Sequence, residues 1–152
     1  MGEIKERIAT LGLTLPECPT PVANYLVAQK TGNLIYASGQ TAWQEDGTLL
    51  FPGKVGKDVS QEEAYASARL SALRLISELN SMVDLDSIQI VKVNGYVNAS
   101  PDFTAHPAVV NGASDLFVAV FGDKGRHART AVGVGSLPDN ASVEIEVIAQ
   151  LL

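Results

Sequence analysis

The chain predicts an α+β fold: one mixed sheet with two long helices packed on one face, in the order ββ-loop-α-β-α-ββ. Three observations carry this. The 152 residues are 46% hydrophobic with few aromatics, enough to give one domain (1–152) a sizeable core. Two long stretches repeat their apolar residues at helical spacing, and the segments around them are short and rich in β-branched residues. With both helices on one face, the other sheet face needs a cover the chain does not supply, so a second copy of the chain is expected there.

The elements follow in order. Ile4, Ile8 and Leu11 fall at helical spacing, so Gly2 to Leu11 reads as a short amphipathic helix within an extra N-terminal segment, 1–15. Gly12 ends it, and Pro16, Pro19 and Pro21 make an extended lead-in. Tyr25 to Gln29 and Asn33 to Ser38 read as strands around a Lys30-Thr31-Gly32 turn. Glu45 to Lys57 is rich in glycine and proline and reads as a loop with a short strand. Ser60-Gln61-Glu62-Glu63 is a capping box, predicting a helix that runs to about Met82. Its buried stripe is Ala64, Ala68, Leu75, Leu79 and Met82. Ile88 to Val97 is a β-branched strand, and Asp102 to Phe121 a second helical region stopped by Gly122. Two strands close the chain.

Composition excludes several function classes. No apolar run approaches the roughly 20 residues that span a bilayer, and the start, Met1-Gly2-Glu3-Ile4-Lys5-Glu6-Arg7, lacks the apolar block of a signal peptide. Arg7 also stands where a myristoylation signal needs Ser or Thr, so a cytoplasmic protein is expected. The net charge is −6 and the 11 basic residues form no cluster, which disfavours a nucleic-acid surface. Cys18 is alone, which excludes an internal disulfide and a CxxC metal site. His106 and His127 are not spaced like zinc ligands, so no metal is expected, and His127 reads as a surface residue. Gly133-x-Gly135 lacks a third glycine and precedes a turn, which rejects a dinucleotide fingerprint.

The chemistry concentrates in the last quarter. One strand begins Ala128-Arg129-Thr130; the other reads Val143-Glu144-Ile145-Glu146-Val147. An arginine fork clamps a small carboxylate well, and a glutamate can handle a proton or a water. If Pro138 to Ala141 is a hairpin turn, Arg129, Gly133, Gly135, Glu144 and Glu146 share one face. Val132, Val134, Val143, Ile145 and Val147 then share the other face, toward the core. In that register Glu144 sits opposite Gly135, on the order of 20 Å from Arg129 at ~3.4 Å per residue. The two could then serve one small-molecule site only from different subunits. The ordinary alternatives are a surface-paired arginine and a solvated acidic face. Gly133 and Gly135 tilt the balance, because glycines within a strand mark close approach by a ligand or another backbone.

Ser38-Gly39-Gln40, Asn111, Ala128-Arg129-Thr130, Leu137-Pro138 and Val143-Glu144-Ile145-Glu146, in that order, resemble the Rid family. These are the reactive intermediate deaminases, also called YjgF-like and long labelled L-PSP endoribonucleases. The resemblance covers about Pro21 to Leu152. It implies a chorismate-mutase-like fold, a homotrimer with clefts between subunits, and chemistry without a cofactor. It implies that Arg129 binds a substrate carboxylate and Glu144 a water. Tyr25, Ser38, Gly39 and Asn111 fall at the family's substrate-binding positions. The chain departs from the pattern in its N-terminal helix, a longer loop at about Glu45 to Val55, Ala131 in place of a common cysteine, and one residue inserted between Asn111 and Arg129, which marks a longer branch.

The function these features imply is hydrolysis of small enamines or imines of amino acids to 2-keto acids and ammonia. The alternatives are a non-catalytic binder of 2-keto acids or similar carboxylates and, behind it, an endoribonuclease.

Overall fold

The computed structural model describes residues 2–152. Helix α1 (Glu3–Thr10) leads to strands β1 (Ala28–Thr31) and β2 (Leu34–Gln40). Helix α2 (Gln61–Met82), strand β3 (Ile88–Asn98), helix α3 (His106–Phe121) and strands β4 (Ala128–Val134) and β5 (Val143–Leu151) complete the chain. The strands form one sheet in the order β1-β2-β5-β3-β4. Only β3 and β4 run parallel, joined by the α3 crossover; the other pairs are antiparallel. The α+β class and element order are those expected. Among the described residues no helix is long and apolar enough to cross a membrane.

The core lies between the sheet and the two long helices, where Leu75, Leu79, Val93, Phe117, Val143 and Ile145 are fully buried. The capping box forms in full: Ser60 Oγ accepts from Glu63 N and the Glu63 carboxylate accepts from Ser60 N. Gly112 of α3 sits so close to α2 that a Cβ there would lie 2.1 Å from the Tyr65 carbonyl oxygen. Helix α1 buries Ile4 and Ile8, and Arg7 donates to the Val120 carbonyl at the end of α3.

The closing strands differ from expectation. β4 and β5 are not a hairpin: β3 lies between them, and Pro138–Asn140 is a 3-10 turn that carries the chain across it. The parities change accordingly. Arg129 aligns with fully buried Val93, so it faces the helices with Val143, Ile145 and Val147. Glu144 aligns with Tyr96, and Tyr96 with Val132, so these three lie on the open face. Val132 is therefore not a core residue; it is 40% exposed. A parallel partner reached through a helix overrides the simplest assumption, that strands adjacent in sequence pair.

Smaller differences are local. The first hairpin turns at Gly32-Asn33, with Gly32 at φ +58°, so β1 begins three residues later than its apolar run suggested. Helix α3 starts at His106, after a turn and an extended stretch. Met82, on the last turn of α2, is exposed. The loop from Thr41 to Val59 holds only isolated bridges, Trp43 with Leu49 and Val55 with Val59 and Ala99. It is nonetheless tied to the strand ends. Gly53 N donates to the Asn140 carbonyl and Val55 N to the Asn98 carbonyl. Lys54 Nζ donates to Asn98 Oδ1 and to the Ala99 and Gly135 carbonyls.

Candidate active site

The expected site residues fall into two groups. The first is built on the edge of the sheet. Arg129 is the second residue of β4, and α3 passes over it. Asn111 and Ser114, three apart on α3, share one helix face. Arg129 Nη1 donates to Asn111 Oδ1 at 2.7 Å and to Ser114 Oγ at 3.2 Å. Among the described residues nothing accepts from Nε or Nη2, and no carboxylate forms a salt bridge with this arginine. That edge of the guanidinium is a ready two-pronged donor.

His127 anchors the group from below. Its Nδ1 lies 2.6 Å from the Gly125 carbonyl, which can only accept, so Nδ1 carries the proton. Nε2 then accepts from Ser114 Oγ at 2.9 Å. Burial, followed by the Arg129 charge, lowers the His127 pKa and keeps the ring neutral. His127 is thus a partly buried strut and not the surface residue expected. Gly133 also has a local reason: a Cβ there would fall 2.4 Å from His106 Nε2. The close approach it marks is the first residue of α3, whereas Gly135 meets open space.

The second group surrounds a bulge in β2. The β2–β5 register shifts between Ala37 and Gln40, which sets Ser38 and Gly39 outside the regular ladder. Ser38 Oγ donates to the Leu26 carbonyl at 2.5 Å, fixing the segment before β1. A Cβ on Gly39 would lie 3.1 Å from Glu144 Cδ, so glycine lets the carboxyl rest against the β2 backbone. Tyr25, Gly39 and Glu144 line a groove of about 480 Å³ together with Thr20, Trp43 and Arg74. Burial raises the Glu144 pKa, and the charge of Glu146 adds to the effect. Glu146 accepts from Tyr96 Oη at 2.5 Å and Asn94 Nδ2 at 3.2 Å, and that bond pushes the Tyr96 phenol to about 12.

Arg74, absent from the expected set, projects from α2 into the same groove. Its Nε donates to Gln40 Oε1 at 3.0 Å and its Nη1 to the Trp43 carbonyl at 3.1 Å. Gln40 in turn donates to the fully buried Glu78 at 2.5 Å. The other Glu78 oxygen has no partner among the described residues, and burial pushes this carboxyl to about 8. Ser114 was missed as well, though its helical spacing from Asn111 was a usable signal. For Arg74 no such local signal exists, since its partner Gln40 lies 34 residues away.

Tyr25, Ser38, Gly39 and Glu144 therefore cluster on one side, and Asn111 and Arg129 on the other. A family profile described as "YjgF/chorismate mutase-like, putative endoribonuclease" matches residues 5–151. The chain belongs to the YjgF/Rid family. Among relatives of this YjgF/Rid protein, Protein TCP17 of Trypanosoma cruzi is 39% identical over 99% of this chain and 95% of its own length. The 2-iminobutanoate/2-iminopropanoate deaminase of Dermatophagoides farinae is 29% identical over 90% of this chain and 92% of its own. A crystal structure from Shewanella oneidensis, carrying the same endoribonuclease label as the family, superposes with a TM-score of 0.94 at 32% identity. It covers 99% of this chain and 100% of its own, so the N-terminal helix falls within the shared fold.

Proposed function

We propose that this YjgF/Rid protein hydrolyses small 2-imino acids, or the enamines in equilibrium with them, to 2-keto acids and ammonia. The observation that carries the reading is the open Nε/Nη2 edge of Arg129, with Nη1 fastened to Asn111 and Ser114. An arginine fixed on one side and vacant on the other suits a carboxylate. Glu144 supplies the second function. A half-buried carboxyl whose pKa burial raises is suited to passing a proton between water and substrate.

In this reading Glu144 takes a proton from water as the water oxygen attacks the imine carbon. The C=N π pair moves to nitrogen, which takes that proton from Glu144 and leaves the carboxylate free again. A second proton, passed through Glu144 from the new hydroxyl, reaches nitrogen. The C–N bond then breaks, ammonia leaves with that electron pair, and C=O forms. The imine carbon is electrophilic already, so no cofactor enters the balance. Because Arg129 and Glu144 point from opposite sheet faces, the cleft joins the Arg129 edge of one subunit to the Glu144 groove of another. A homotrimer accommodates such clefts. The relative named as a 2-iminobutanoate/2-iminopropanoate deaminase supports the substrate class. The net charge of −6 disfavours RNA as substrate.

The test is ammonia release from 2-iminobutanoate and 2-iminopropanoate generated in situ. Arg129→Ala should abolish the acceleration, and equal rates for wild type and variant would refute the proposal. Glu144→Gln should lose turnover while keeping affinity for 2-oxobutanoate. A variant with full turnover would remove Glu144 from the chemistry.

A further inference from the structure

The groove that holds Glu144 contains a cation of its own. Arg74 is half-buried, yet neither of its fixed nitrogens meets a carboxylate: one donates to the Gln40 side-chain carbonyl, the other to the Trp43 backbone carbonyl. The two salt bridges among the described residues are Arg7–Glu3 and Arg126–Asp123, both on the surface. Arg74 is therefore oriented by neutral acceptors, with no carboxylate at salt-bridge distance and Nη2 without a partner among the described residues. Glu78 feels the Arg74 charge, but its carboxyl, pushed up to about 8 by burial, bonds Gln40 and not the guanidinium.

The groove walls complete the picture. Tyr25, Trp43, Pro19, Val22 and Pro138 line the same groove as Glu144, Asp139 and Arg74 and give it apolar surface. A ligand lying along the groove would meet Glu144 at its reacting carbon and Arg74 at its far end. We infer that Arg74 is a specificity residue that receives a second carboxylate, so that the preferred substrates are 2-imino dicarboxylates of four or five carbons. This rests on the reading of the groove as the Glu144 half of the imine-hydrolysing cleft. Arg129, from the other half, would hold the carboxylate next to the imine.

The experiment compares 2-iminoglutarate with 2-iminobutanoate, both generated in situ by amino-acid oxidases, in wild type, Arg74→Met and Arg74→Lys. Affinity for the stable products 2-oxoglutarate and 2-oxobutanoate is measured by calorimetry alongside. Wild type should favour the dicarboxylate, and Arg74→Met should lose about 10- to 100-fold in kcat/KM for it. The monocarboxylate should change by less than about threefold, and Arg74→Lys should recover part of the loss. The ratio of the two substrates does not depend on how much of a variant is folded. Equal losses on both, or a wild type indifferent to the second carboxylate, would overturn the inference and leave the deaminase reading standing. Arg74-dependent binding of 2-oxoglutarate without hydrolysis of either imine would instead overturn the deaminase reading and leave the second anion site in place.

Discussion

Arg129 and Glu144 project from opposite faces of one sheet, and strand β3 runs between the strands that carry them. No hydrogen bond or salt bridge joins them among the described residues. If they act on one substrate, the cleft is made by two copies. Co-expressed Arg129→Ala and Glu144→Gln chains should therefore regain activity that neither has alone. With random assortment about one quarter of the clefts combine an intact arginine with an intact glutamate. Purified mixed oligomers showing no rescue would mean that each chain needs both residues for itself.

The acid limb of the pH–rate profile should report Glu144. Burial and the Glu146 charge raise its pKa, in that order. A general base loses activity as pH falls through its own pKa, so the raised pKa moves the limb to higher pH than an exposed glutamate would give. Glu146→Gln removes the like charge and retains an acceptor for Tyr96. The limb should move to lower pH by a modest amount, because burial remains. A shift upward would show that Glu144 is not the titrating group.

Glu78 predicts a pH dependence of stability. Its folded pKa of about 8 lies above the ordinary value of 4.5. The folded protein keeps a proton that the unfolded chain loses, so this contribution is full below pH about 4.5 and falls as pH rises toward about 8. Above that it is constant. Glu78→Gln, still able to accept from Gln40, should abolish the slope. The difference in Tm between variant and wild type should grow in favour of the variant across that window and then level. Parallel curves would contradict the assignment.

Gly112→Ala tests how the arginine is held. The added methyl would meet the Tyr65 carbonyl at 2.1 Å and the Ala68 methyl at 3.1 Å. Forcing α3 off α2 should cost about 1–3 kcal/mol by thermal or urea denaturation. It should also displace Asn111 and Ser114, raising KM for the imine. A variant as stable as wild type would show that the helices part without cost.

Much of this was legible in the chain. The Ser60–Glu63 capping box and the Ala64–Leu79 stripe gave α2 almost to the residue, because helix signals are local. Sheet order was not legible. β4 and β5 are close in sequence and joined by a turn, so they read as a hairpin, while the true partner of β4 lies beyond α3. Val132 and Val134 reinforced the error, since apolar side chains on an uncovered face look like core. In the candidate site, Asn111 and Arg129 were named through short family motifs, and the structure joins them directly. Arg74 and Glu78 were invisible because a charged residue on a helix reads as solvated until its distant partner, here Gln40, is known.

The tethered loop before α2 bears on how this branch can vary. Its tip, Asp46-Gly47, is an exposed turn with Gly47 at φ +83°, and insertions there should be absorbed without effect on the sheet. Six to eight residues on, the same loop holds the outgoing ends of β3 and β4 and the turn that leads into β5 through Gly53, Lys54 and Val55. Length changes among close relatives should therefore gather at the tip and stop short of Gly53. The segment that looks most like spare sequence is half freely variable and half a fixed part of the strand framework.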